Sequence, residues 1–573
     1  MIQLTIDGQN VSVEEGTTIL EAARKVNIKI PTLCYHEDQA VKAVCRICCV
    51  EVEGQRLLPT ACNTPAAQGM VVRTASPKVI KARKNIMELI LARHPQNCLS
   101  CSKNGQCELQ NVARDLNIQE ENRYKLELRR VEKDTSSPSI VRDMTKCILC
   151  GRCMDACTAG QEITVMAKEN RGYHTNVVPP YGKKLADTTC VNCGQCVQVC
   201  PVGALSIKDD TNEVYRQMEA GKKLVLQMAP SVRITLAEMM GEEPGTVSTG
   251  RIVNACKKLG FYKVFDSDFT ADLTIMEEGN ELLQRLNNGG TLPMLTSCCP
   301  AWVKYCETYA PELLGHLSTA KSPQQMFGAV IKTYFAKKAQ LDPAEIVSVS
   351  VMPCTAKKFE CKREELKDSG YQDVDIVITV QELAKMIRTA GIDFKNLPDV
   401  DFDQPFGLGS GAGQIFGATG GVMEAALRTV YEVVTGKDLA KLEFEAVRGF
   451  EGIKEASVDL EGTTVKVAIV HGLGNAKKLL QQIREGKADY HFVEVMACPG
   501  GCIGGGGNPS RTWKKVEARK HAVYESDKNL PIRKSHENPY IKQIYEEFLG
   551  APLGEKSHKL LHTTYFNRRD LLR

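Results

Sequence analysis

The spacing of the cysteines constrains this chain more than any other feature of its sequence. Two runs, at residues 147–157 and 190–200, share the pattern C-x2-C-x2-C-x3-C, and Pro201 follows the second run. In this pattern the fourth cysteine of each run binds the iron-sulfur cluster of the other run. The spacing therefore predicts one 4Fe-4S cluster on Cys147, Cys150, Cys153 and Cys200, and another on Cys157, Cys190, Cys193 and Cys196.

Disulfide bonds are the main alternative use for the 24 cysteines. Disulfide frameworks are typical of small exported domains, whereas this chain has 573 residues and its first residues do not have the pattern of a signal peptide. No apolar run reaches the roughly 18 residues of a membrane span, and a net charge of +4 is too small to favour nucleic acid or an anionic membrane. We therefore expect a soluble, cytoplasmic metalloprotein with no membrane or nucleic-acid partner.

An earlier cysteine group has the spacing C-x10-C-x2-C-x13-C and lies among short apolar strands. Soft thiolates bind iron tightly, and three sulfurs of one loop with a fourth from another strand suit a 2Fe-2S cluster. Zinc is the alternative metal for four thiolates. Cys49 is left out of the set because strand alternation points it away from Cys48. The predicted ligands are Cys34, Cys45, Cys48 and Cys62.

The next group combines one imidazole with three thiolates in the sequence HPQNCLSCSKNGQC. Taken alone, this set fits a structural zinc site as well as a cluster. Its position between two other iron-sulfur segments favours a His-ligated 4Fe-4S cluster, whose potential differs from that of an all-cysteine cluster. The predicted ligands are His94, Cys98, Cys101 and Cys107.

The pattern along the chain predicts several domains of mixed α+β and α/β class. Residues 1–78 alternate short strands with an amphipathic helix at residues 18–26, which indicates a ferredoxin-like domain of the β-grasp kind. Residues 79–125 are helical in pattern and form the predicted small domain of the His-ligated cluster. Residues 140–209 form a predicted bacterial ferredoxin-like domain with two 4Fe-4S clusters, and the polar residues 133–139 before it have the composition of a linker.

Residues 222–573 alternate helices and strands and form the predicted α/β catalytic domain, with a helical tail from about residue 515. Three apolar runs in it are predicted to be buried strands, at residues 291–296, 346–352 and 491–496, and each is followed within two residues by a cysteine. Functional groups gather beyond the carboxyl ends of strands in α/β sheets. We therefore expect these sulfurs to meet at one site.

The segments around these cysteines read TSCCPAW, MPCTAKKFE and EVMACPGGCIGGGG. They are similar to the three signature segments of iron-iron hydrogenases, and the whole order of cysteine groups resembles the long clostridial-type enzymes of that family. The resemblance implies an H-cluster, in which a 4Fe-4S cubane is bridged by Cys502 to a two-iron subsite with carbon monoxide, cyanide and azadithiolate ligands. It also implies maturation proteins that build this subsite. The implied cubane ligands are Cys299, Cys354, Cys498 and Cys502.

The same resemblance assigns the pocket around the cluster. Lys357 and the Pro230–Ser231 segment would serve the cyanides, because buried anionic acceptors need donors. Met352, Met496 and Phe416 would wall the cavity. For protons, the implied carriers are the non-ligand cysteine of the first signature and three residues that lead outward. These carriers are Cys298, Glu278, Glu281 and Ser318.

Two glycine-rich runs, at residues 406–422 and 471–478, do not predict a nucleotide site. The first lacks a preceding strand and the lysine of a phosphate-binding loop, and the second lacks the full dinucleotide fingerprint. The glycines of the first run are expected to let the backbone approach the cluster closely. The remaining cysteines have no metal-like context and are expected to be buried core residues. They are Cys49, Cys256, Cys306 and Cys361.

The resemblance implies a reversible hydrogenase that converts two protons and two electrons to H2, with four accessory clusters relaying electrons to or from ferredoxin. One alternative makes the chain the catalytic subunit of a multi-subunit NAD(P)H-linked or electron-bifurcating hydrogenase, in which a flavoprotein exchanges electrons with NADH or NADPH. Three other classes share parts of the layout: hydrogen sensors, iron-sulfur assembly proteins and the iron-sulfur subunit of respiratory complex I. Sensors usually add a signalling domain, assembly proteins lack the cysteine that corresponds to Cys298, and complex I lacks the three signatures.

Overall fold

The computed structural model describes residues 1–118, 124, 126–439, 441–459 and 464–572. The chain forms two compact units, and each is continuous in space but not in sequence. The first unit comprises Met1–Ala159, Thr164–Leu185 and Val199–Ser206. The second unit comprises Gly160–Ile163, Ala186–Gln198 and Ile207–Arg573. None of the helices in the described ranges has both the length and the apolar character of a membrane span.

The N-terminal part of the first unit is a four-stranded sheet with one helix. The strands lie in the order β2-β1-β4-β3, with β1 antiparallel to β2 and parallel to β4. A capping box of Thr18 and Glu21 starts helix α1 within the predicted range, because each side chain binds a backbone N–H of the other residue. The elements are β1 (Ile2–Ile6), β2 (Gln9–Val13), α1 (Ile19–Lys25), β3 (Glu51–Val52) and β4 (Val71–Arg73).

The rest of the first unit consists of short elements between the cysteine loops. The polar stretch 133–139 is folded here, so its interpretation as a linker was wrong. Asp134 exchanges two backbone hydrogen bonds with Arg142, and Ser137 and Ser139 are buried. Local partners satisfy the polar groups, since Ser137 Oγ accepts from two backbone N–H groups. The elements are α2 (Pro77–Leu91), α3 (Glu108–Asp115), β5 (Ile140–Arg142), α4 (Arg152–Asp155), β6 (Ala167–Glu169), β7 (Asn176–Val178) and β8 (Leu205–Ile207).

The second unit is built on two four-stranded sheets. The first sheet, in the order β10-β9-β12-β13, is parallel throughout. The second sheet, in the order β11-β16-β15-β14, is parallel except for β14. The strands are β9 (Lys223–Met228), β10 (Lys263–Asp266), β11 (Met294–Leu295), β12 (Ile346–Met352), β13 (Ile376–Thr379), β14 (Ile453–Asp459), β15 (Thr464–His471) and β16 (Phe492–Met496).

Helices cover both faces of the parallel sheet. Leu224 and Leu226 of β9 pack in one core cluster, whereas Val225 between them packs in another. This explains why its strands are continuously apolar in sequence, since both faces are buried. The helices are α5 (Gln195–Gln198), α6 (Thr211–Glu219), α7 (Val232–Met239), α8 (Thr249–Leu259), α9 (Asp268–Asn287), α10 (Pro300–Tyr309), α11 (Pro323–Val330), α12 (Ala336–Ala339), α13 (Lys357–Glu360), α14 (Val380–Thr389), α15 (Gly411–Ile415), α16 (Gly421–Thr435), α17 (Leu473–Arg484), α18 (Trp513–Lys528), α19 (Pro539–Ile544) and α20 (Glu555–Leu561).

The C-terminal tail is helical, as its pattern indicates, and it belongs to the core of the second unit. Ile541, Ile544 and Leu561 share a hydrophobic cluster with Phe269 of α9 and Phe327 of α11. Burial of such side chains contributes roughly 1.5–3 kcal/mol each. The tail therefore stabilises the helices that carry the site described next.

Candidate active site

Five cysteines from three separate segments line one cavity of about 90 Å³ in the second unit. The strands β11, β12 and β16 all run toward this cavity, and the cysteines follow their carboxyl ends. The three strands belong to two sheets rather than one, and β11 is only two residues long within the predicted strand 291–296. The convergence of the sulfurs therefore depends on how the two sheets meet. The five cysteines are Cys298, Cys299, Cys354, Cys498 and Cys502.

The donor set at this cavity fits an iron-sulfur group. Burial raises the pKa of the thiol of Cys498, and the nearby thiols of Cys354, Cys299 and Cys502 raise it further. All 24 cysteines lie among the described residues, and none forms a disulfide bond. Several buried thiols that repel one another as thiolates are costly without a cation between them. Iron ions, which soft thiolates bind tightly in clusters, would supply that cation, so the sulfurs present suit a cubane cluster.

The backbone turn that carries Cys502 requires glycine. Gly501 has φ +89°, and a Cβ atom there would lie 2.5 Å from Thr419 N. Gly505 approaches Pro353 O so closely that a Cβ atom would lie 2.3 Å from it. The glycines of this signature thus bring the Cys502 loop against the segment that carries Cys354.

The residues predicted to wall the pocket all line the same cavity. Met352, Met496 and Phe416 provide apolar surface, and Pro230 and Ser231 form another part of the lining. The hydroxyl of Ser231 is buried and has no hydrogen-bond partner among the described residues. A buried unpaired hydroxyl is costly, so this atom suits a ligand acceptor within the cavity.

Lys357 lies at the start of α13 and also lines the cavity. Its ammonium donates to Cys298 O at 3.1 Å and pairs with the Glu360 carboxylate at 2.9 Å. Burial works against the charged form, but the Glu360 carboxylate outweighs it, so the pKa of Lys357 lies above its ordinary value. The side chain is therefore a fixed, buried cation. Sequence reasoning did not single out Glu360, although its spacing of three residues from Lys357 on a helix was a usable signal.

A line of buried polar groups extends from Cys298 through helix α9. Glu278 interacts electrostatically with the Cys298 thiol, and neither of its carboxyl oxygens has a hydrogen-bond partner in the described part of the chain. Burial and the neighbouring Glu281 raise the pKa of Glu278 to about 8. Ser318 Oγ donates to Glu281 Oε2 at 2.8 Å, and Arg285 pairs with Glu281 at 2.6 Å. The structure thus brings the four predicted proton carriers together and adds Arg285, which the sequence reasoning missed.

The four cysteines predicted to bind the 2Fe-2S cluster, Cys34, Cys45, Cys48 and Cys62, meet in the first unit. Cys48 Sγ lies 3.3 Å from Cys62 Sγ, and the thiols of Cys34 and Cys45 are hydrogen-bonded to each other. Two such pairs of sulfurs suit the two irons of a 2Fe-2S cluster. Cys49 lies beside the guanidinium of Arg83.

The remaining groups of the first unit are arranged as follows. Cys147, Cys150, Cys153 and Cys200 lie close together, since the thiols of Cys150, Cys153 and Cys200 each interact electrostatically with others of the set. Burial lowers the pKa of His94, and its Nδ1 has no hydrogen-bond partner in the residues that the structure describes. A neutral imidazole with an unpaired nitrogen is the form that binds a metal. Cys98, Cys101 and Cys107 also interact electrostatically.

The loop with Cys190, Cys193 and Cys196 belongs to the second unit and is bonded to the cavity loops. Thr355 Oγ1 donates to Asn192 O at 2.6 Å, immediately beside Cys354. Two glutamines, Gln195 and Gln198, donate to carbonyls of the loop after Cys502. Sequence reasoning missed these bonds because they join residues about 160–310 positions apart.

A buried lysine on α10 faces the same loop. Lys304 is 5% exposed, its ammonium lies 4.7 Å from the ring centre of Phe359, and it interacts electrostatically with the Cys190 thiol. No carboxylate among the described residues lies within 4.0 Å of its ammonium. The nearby Glu307 instead binds Arg363 and Arg568. Because a buried charge requires a counter-charge, Lys304 suits an anionic cluster held by Cys190.

The glycine-rich run 406–422 serves mainly helix packing, so the expectation that it approaches the cluster was wrong for most of the run. Cβ atoms at Gly409 and Gly413 would lie 2.1 Å and 2.6 Å from atoms of Asp268. Only Gly417 and the flanking Phe416 and Val422 of this run line the cavity. Cys256, Cys306 and Cys361 are buried in the core, as expected.

Protein-family descriptions cover most of the chain. Residues 222–506 match the iron only hydrogenase large subunit, C-terminal domain, and residues 514–568 match the iron hydrogenase small subunit. Residues 1–77 match a 2Fe-2S iron-sulfur cluster binding domain, and residues 83–122 match the NADH-ubiquinone oxidoreductase-G iron-sulfur binding region. Residues 146–204 match a 4Fe-4S dicluster domain.

Two full-length relatives and one solved structure are similar to this chain. The NADP-reducing hydrogenase subunit HndD of Solidesulfovibrio fructosivorans is 50% identical, with 100% of each chain covered. Iron hydrogenase 1 of Clostridium pasteurianum is 42% identical over 99% of this chain and 100% of that protein. The structure of [FeFe]-hydrogenase HydA1 from Chlamydomonas reinhardtii matches with a TM-score of 0.57 and 41% identity, covering 63% of this chain and 99% of the other. Together with the cysteine-lined cavity, these likenesses show that the chain belongs to the iron-iron hydrogenases and carries accessory iron-sulfur domains.

Proposed function

We propose that this hydrogenase interconverts protons, electrons and H2 at an H-cluster held by Cys299, Cys354, Cys498 and Cys502. The observation that carries this proposal is the meeting of these four thiols and Cys298 around one cavity. When bound, the H-cluster supplies the iron centre where protons and electrons combine. The protein's own contribution is a dry pocket, fixed donors and a route for protons.

The pocket residues exclude water and orient the cluster's ligands. Met352, Met496 and Phe416 close the cavity with apolar surface. Ser231 Oγ and Lys357 Nζ are the donors that would bind anionic ligands of the cluster, since one is unpaired and the other is a buried cation. Fixed donors of this kind stabilise charge in a low-dielectric site.

Protons would enter at Glu281, which Arg285 holds in place, pass Ser318 and Glu278, and reach the thiol of Cys298. The raised pKa of Glu278, about 8, keeps a proton available at neutral pH. Since no direct hydrogen bond joins Cys298 to Glu278, we propose that a water molecule completes this step. Ser318 Oγ holds a proton on the bond to Glu281.

Electrons would reach the H-cluster from the accessory cluster assigned to Cys157, Cys190, Cys193 and Cys196. Support comes from the bonds of the Cys190–Cys196 loop to the cavity segments and from the electrostatic interaction of Cys193 with Cys498. We assign the remaining accessory clusters to the ligand sets predicted from the sequence. They are a 4Fe-4S cluster on Cys147, Cys150, Cys153 and Cys200, a 4Fe-4S cluster on His94, Cys98, Cys101 and Cys107, and a 2Fe-2S cluster on Cys34, Cys45, Cys48 and Cys62.

For the electron partner, we infer a complex with a flavoprotein or another NAD(P)H-linked subunit. The supporting observation is the 50% identity, over the full length, to a subunit of an NADP-reducing hydrogenase. Both glycine-rich runs lack a nucleotide-binding fingerprint, so the nucleotide would bind to another chain. Free ferredoxin is the second candidate, supported by the 42% identity over 99% of this chain to Iron hydrogenase 1, whose name specifies no nucleotide.

An infrared spectrum of the matured protein tests the catalytic assignment. We expect bands of iron-bound carbon monoxide and cyanide, together with H2 evolution from a reduced viologen dye. The variant Cys502→Ala should lose these bands and keep the signals of the accessory clusters. A matured protein without such bands would contradict the proposal.

Purification from the source cell under anaerobic conditions tests the partner. Co-purification with a flavoprotein, and NADPH or NADH oxidation coupled to H2 evolution, would support the complex. A single chain that accepts electrons from reduced ferredoxin and from no nucleotide would favour the second candidate instead.

A further inference from the structure

Residues 317–321, here called the Ser318 segment, are held between two other stretches of chain. On one side, Ser318 N donates to Leu295 O of β11 at 2.8 Å, next to the parallel bridge of Leu295 with Leu317. On the other side lie residues 561–565 of the C-terminal tail, here called the tail segment. The tail segment therefore extends the sheet that leads to the cavity cysteines.

Backbone hydrogen bonds join the tail segment to the Ser318 segment. Thr563 N donates to Thr319 O at 2.8 Å, and Lys321 N donates to Leu561 O at 2.8 Å. These bonds flank an antiparallel bridge between Ala320 and His562. A pair of strands linked in this way has a defined register. The position of the tail segment therefore sets the position of Ser318, the residue before Thr319.

One side chain of the tail segment contacts Ser318 directly. Tyr565 Oη donates to Ser318 O at 2.5 Å, while Ser318 Oγ donates to Glu281 Oε2 at 2.8 Å. The next residue, Thr319, donates its N–H to the same carboxylate at 3.0 Å. Tyr565 also lies within electrostatic range of Glu278. The phenol thus lies beside the proton route and holds its backbone by one bond.

A buried acid anchors the other end of the tail segment. His562 Nδ1 lies 2.8 Å from Thr319 Oγ1, and its Nε2 lies 3.1 Å from Glu277 Oε2. Glu277 is fully buried on α9 and also accepts from Tyr545 Oη at 2.5 Å. Because Glu277 neighbours Glu278 in the sequence, the tail is fixed to the same helix that carries two of the proton carriers.

We propose that the tail segment is a positioning element of the proton route, in which the Tyr565 hydroxyl holds Ser318 so that its own hydroxyl stays on Glu281. This inference rests on the proposed function. Residues 514–568 match a family described as the iron hydrogenase small subunit, so in this chain that part of the protein is covalently attached and completes the site in cis. Tyr565 itself carries no proton between the route's groups, because it bonds to a carbonyl.

Proton transfer depends steeply on donor–acceptor geometry, and hydrogen bonds weaken quickly beyond about 3.2 Å. Removal of the Tyr565 hydroxyl leaves Ser318 O with one fewer donor and frees the backbone to move. The lost hydrogen bond is worth about 1 kcal/mol. An equal increase in the activation free energy of proton transfer lowers the rate roughly fivefold. The effect should appear in proton transfer and not in cluster content.

The experiment uses the matured holoprotein with the variant Tyr565→Phe. We expect H2 evolution from reduced viologen to fall about threefold to tenfold, with a larger solvent deuterium isotope effect. Infrared bands and iron content should equal those of the wild type. Tyr334→Phe is the matched control, since its hydroxyl donates to Glu547 at 2.6 Å and not to a residue of the proton route. It should behave like the wild type in each measurement.

A double variant tests whether Tyr565 acts through Ser318. In a Ser318→Ala background, Tyr565→Phe should change turnover by a factor close to one, because the hydroxyl that it positions is gone. An equal loss in both backgrounds would overturn the inference. If iron loading falls in Tyr565→Phe, His562→Gln gives the second measurement, because it loosens the tail segment from Thr319 and leaves Tyr565 intact. A wild-type isotope effect in that variant, measured per loaded cluster, would also overturn it.

Failure of the proposed function is distinguishable from failure of this inference. If Glu278→Gln evolves H2 at the wild-type rate, the proton route itself is wrong. If Glu278→Gln is slow while Tyr565→Phe matches the Tyr334→Phe control, the route stands and only the role of the tail segment is overturned.

Discussion

Replacing Glu278 with glutamine separates its role as a proton carrier from the cost of burying an acid. The side chain is 2% exposed, and neither carboxyl oxygen has a hydrogen-bond partner among the described residues. Burial and the nearby Glu281 raise its pKa from the ordinary 4.5 to about 8. Glutamine keeps the size of the side chain but cannot release a proton.

The magnitude follows from the two pKa values. In the unfolded chain the carboxyl ionises near pH 4.5, whereas in the folded protein it keeps its proton until about pH 8. The folded protein therefore binds the extra proton in this window, and its free energy of unfolding falls as the pH rises through it. Each tenfold difference in proton affinity is worth about 1.4 kcal/mol, so the loss between pH 5 and pH 7.5 is roughly 3 kcal/mol.

Glutamine does not titrate, so this loss disappears in the variant. The variant should gain stability relative to the wild type by roughly 3 kcal/mol between pH 5 and pH 7.5, measured by thermal or denaturant unfolding of the holoprotein at both values. In the same preparation H2 turnover should fall by about 100-fold or more, the usual contribution of a proton-transfer group. An identical pH dependence of stability in the two proteins, or wild-type turnover in the variant, would refute the reasoning.

Three further changes test other parts of the site. Cys298→Ser should leave all infrared and EPR signals of the clusters in place and lower turnover by about 100-fold or more; full activity would remove this thiol from the proton route. Lys304→Gln removes a buried positive charge beside the Cys190 thiolate. It should therefore lower the reduction potential of the cluster assigned to Cys190 by roughly 40 mV, the equivalent of about 1 kcal/mol for one electron. An unchanged midpoint potential in an EPR-monitored redox titration would argue against this. Glu360→Gln should destabilise the holoprotein by roughly 3 kcal/mol, since it leaves the buried ammonium of Lys357 unpaired, and an unchanged unfolding midpoint would show that the pair is not needed.

Local patterns in the sequence predicted the elements with strong local signals. The helix predicted at residues 18–26 has its start at Thr18, because the capping box with Glu21 is encoded within four residues. The strand predicted at residues 346–352 has the same bounds in the structure, since a run buried on both faces is apolar throughout. The pair Glu278 and Glu281 lies on one helix, as their spacing indicates.

Other features had no local signal. Residues 133–139 have the composition of a linker but fold against Arg142 and bury two serines. The glycines at positions 409 and 413 make room for Asp268 on another helix, which no pattern within the run reveals. Tyr565 was missed because its partner in the proton route is set by the packing of the tail against the segment that carries Ser318. Arg285, in contrast, lies four residues after Glu281 on α9, and the sequence reasoning overlooked that local spacing.

The sequence by itself determined the metal chemistry and the family, because ligand spacing and signature segments depend on a few residues close together in the chain. It also predicted the helix that begins after Thr18 and the strand at residues 346–352, whose cap and apolar run are local. Only the tertiary structure decided that strands of two different sheets end at one cavity and that the tail holds Ser318. The contact of Tyr565 with Ser318 joins residues 247 positions apart, and long-range packing of buried polar groups leaves no periodic trace in the chain.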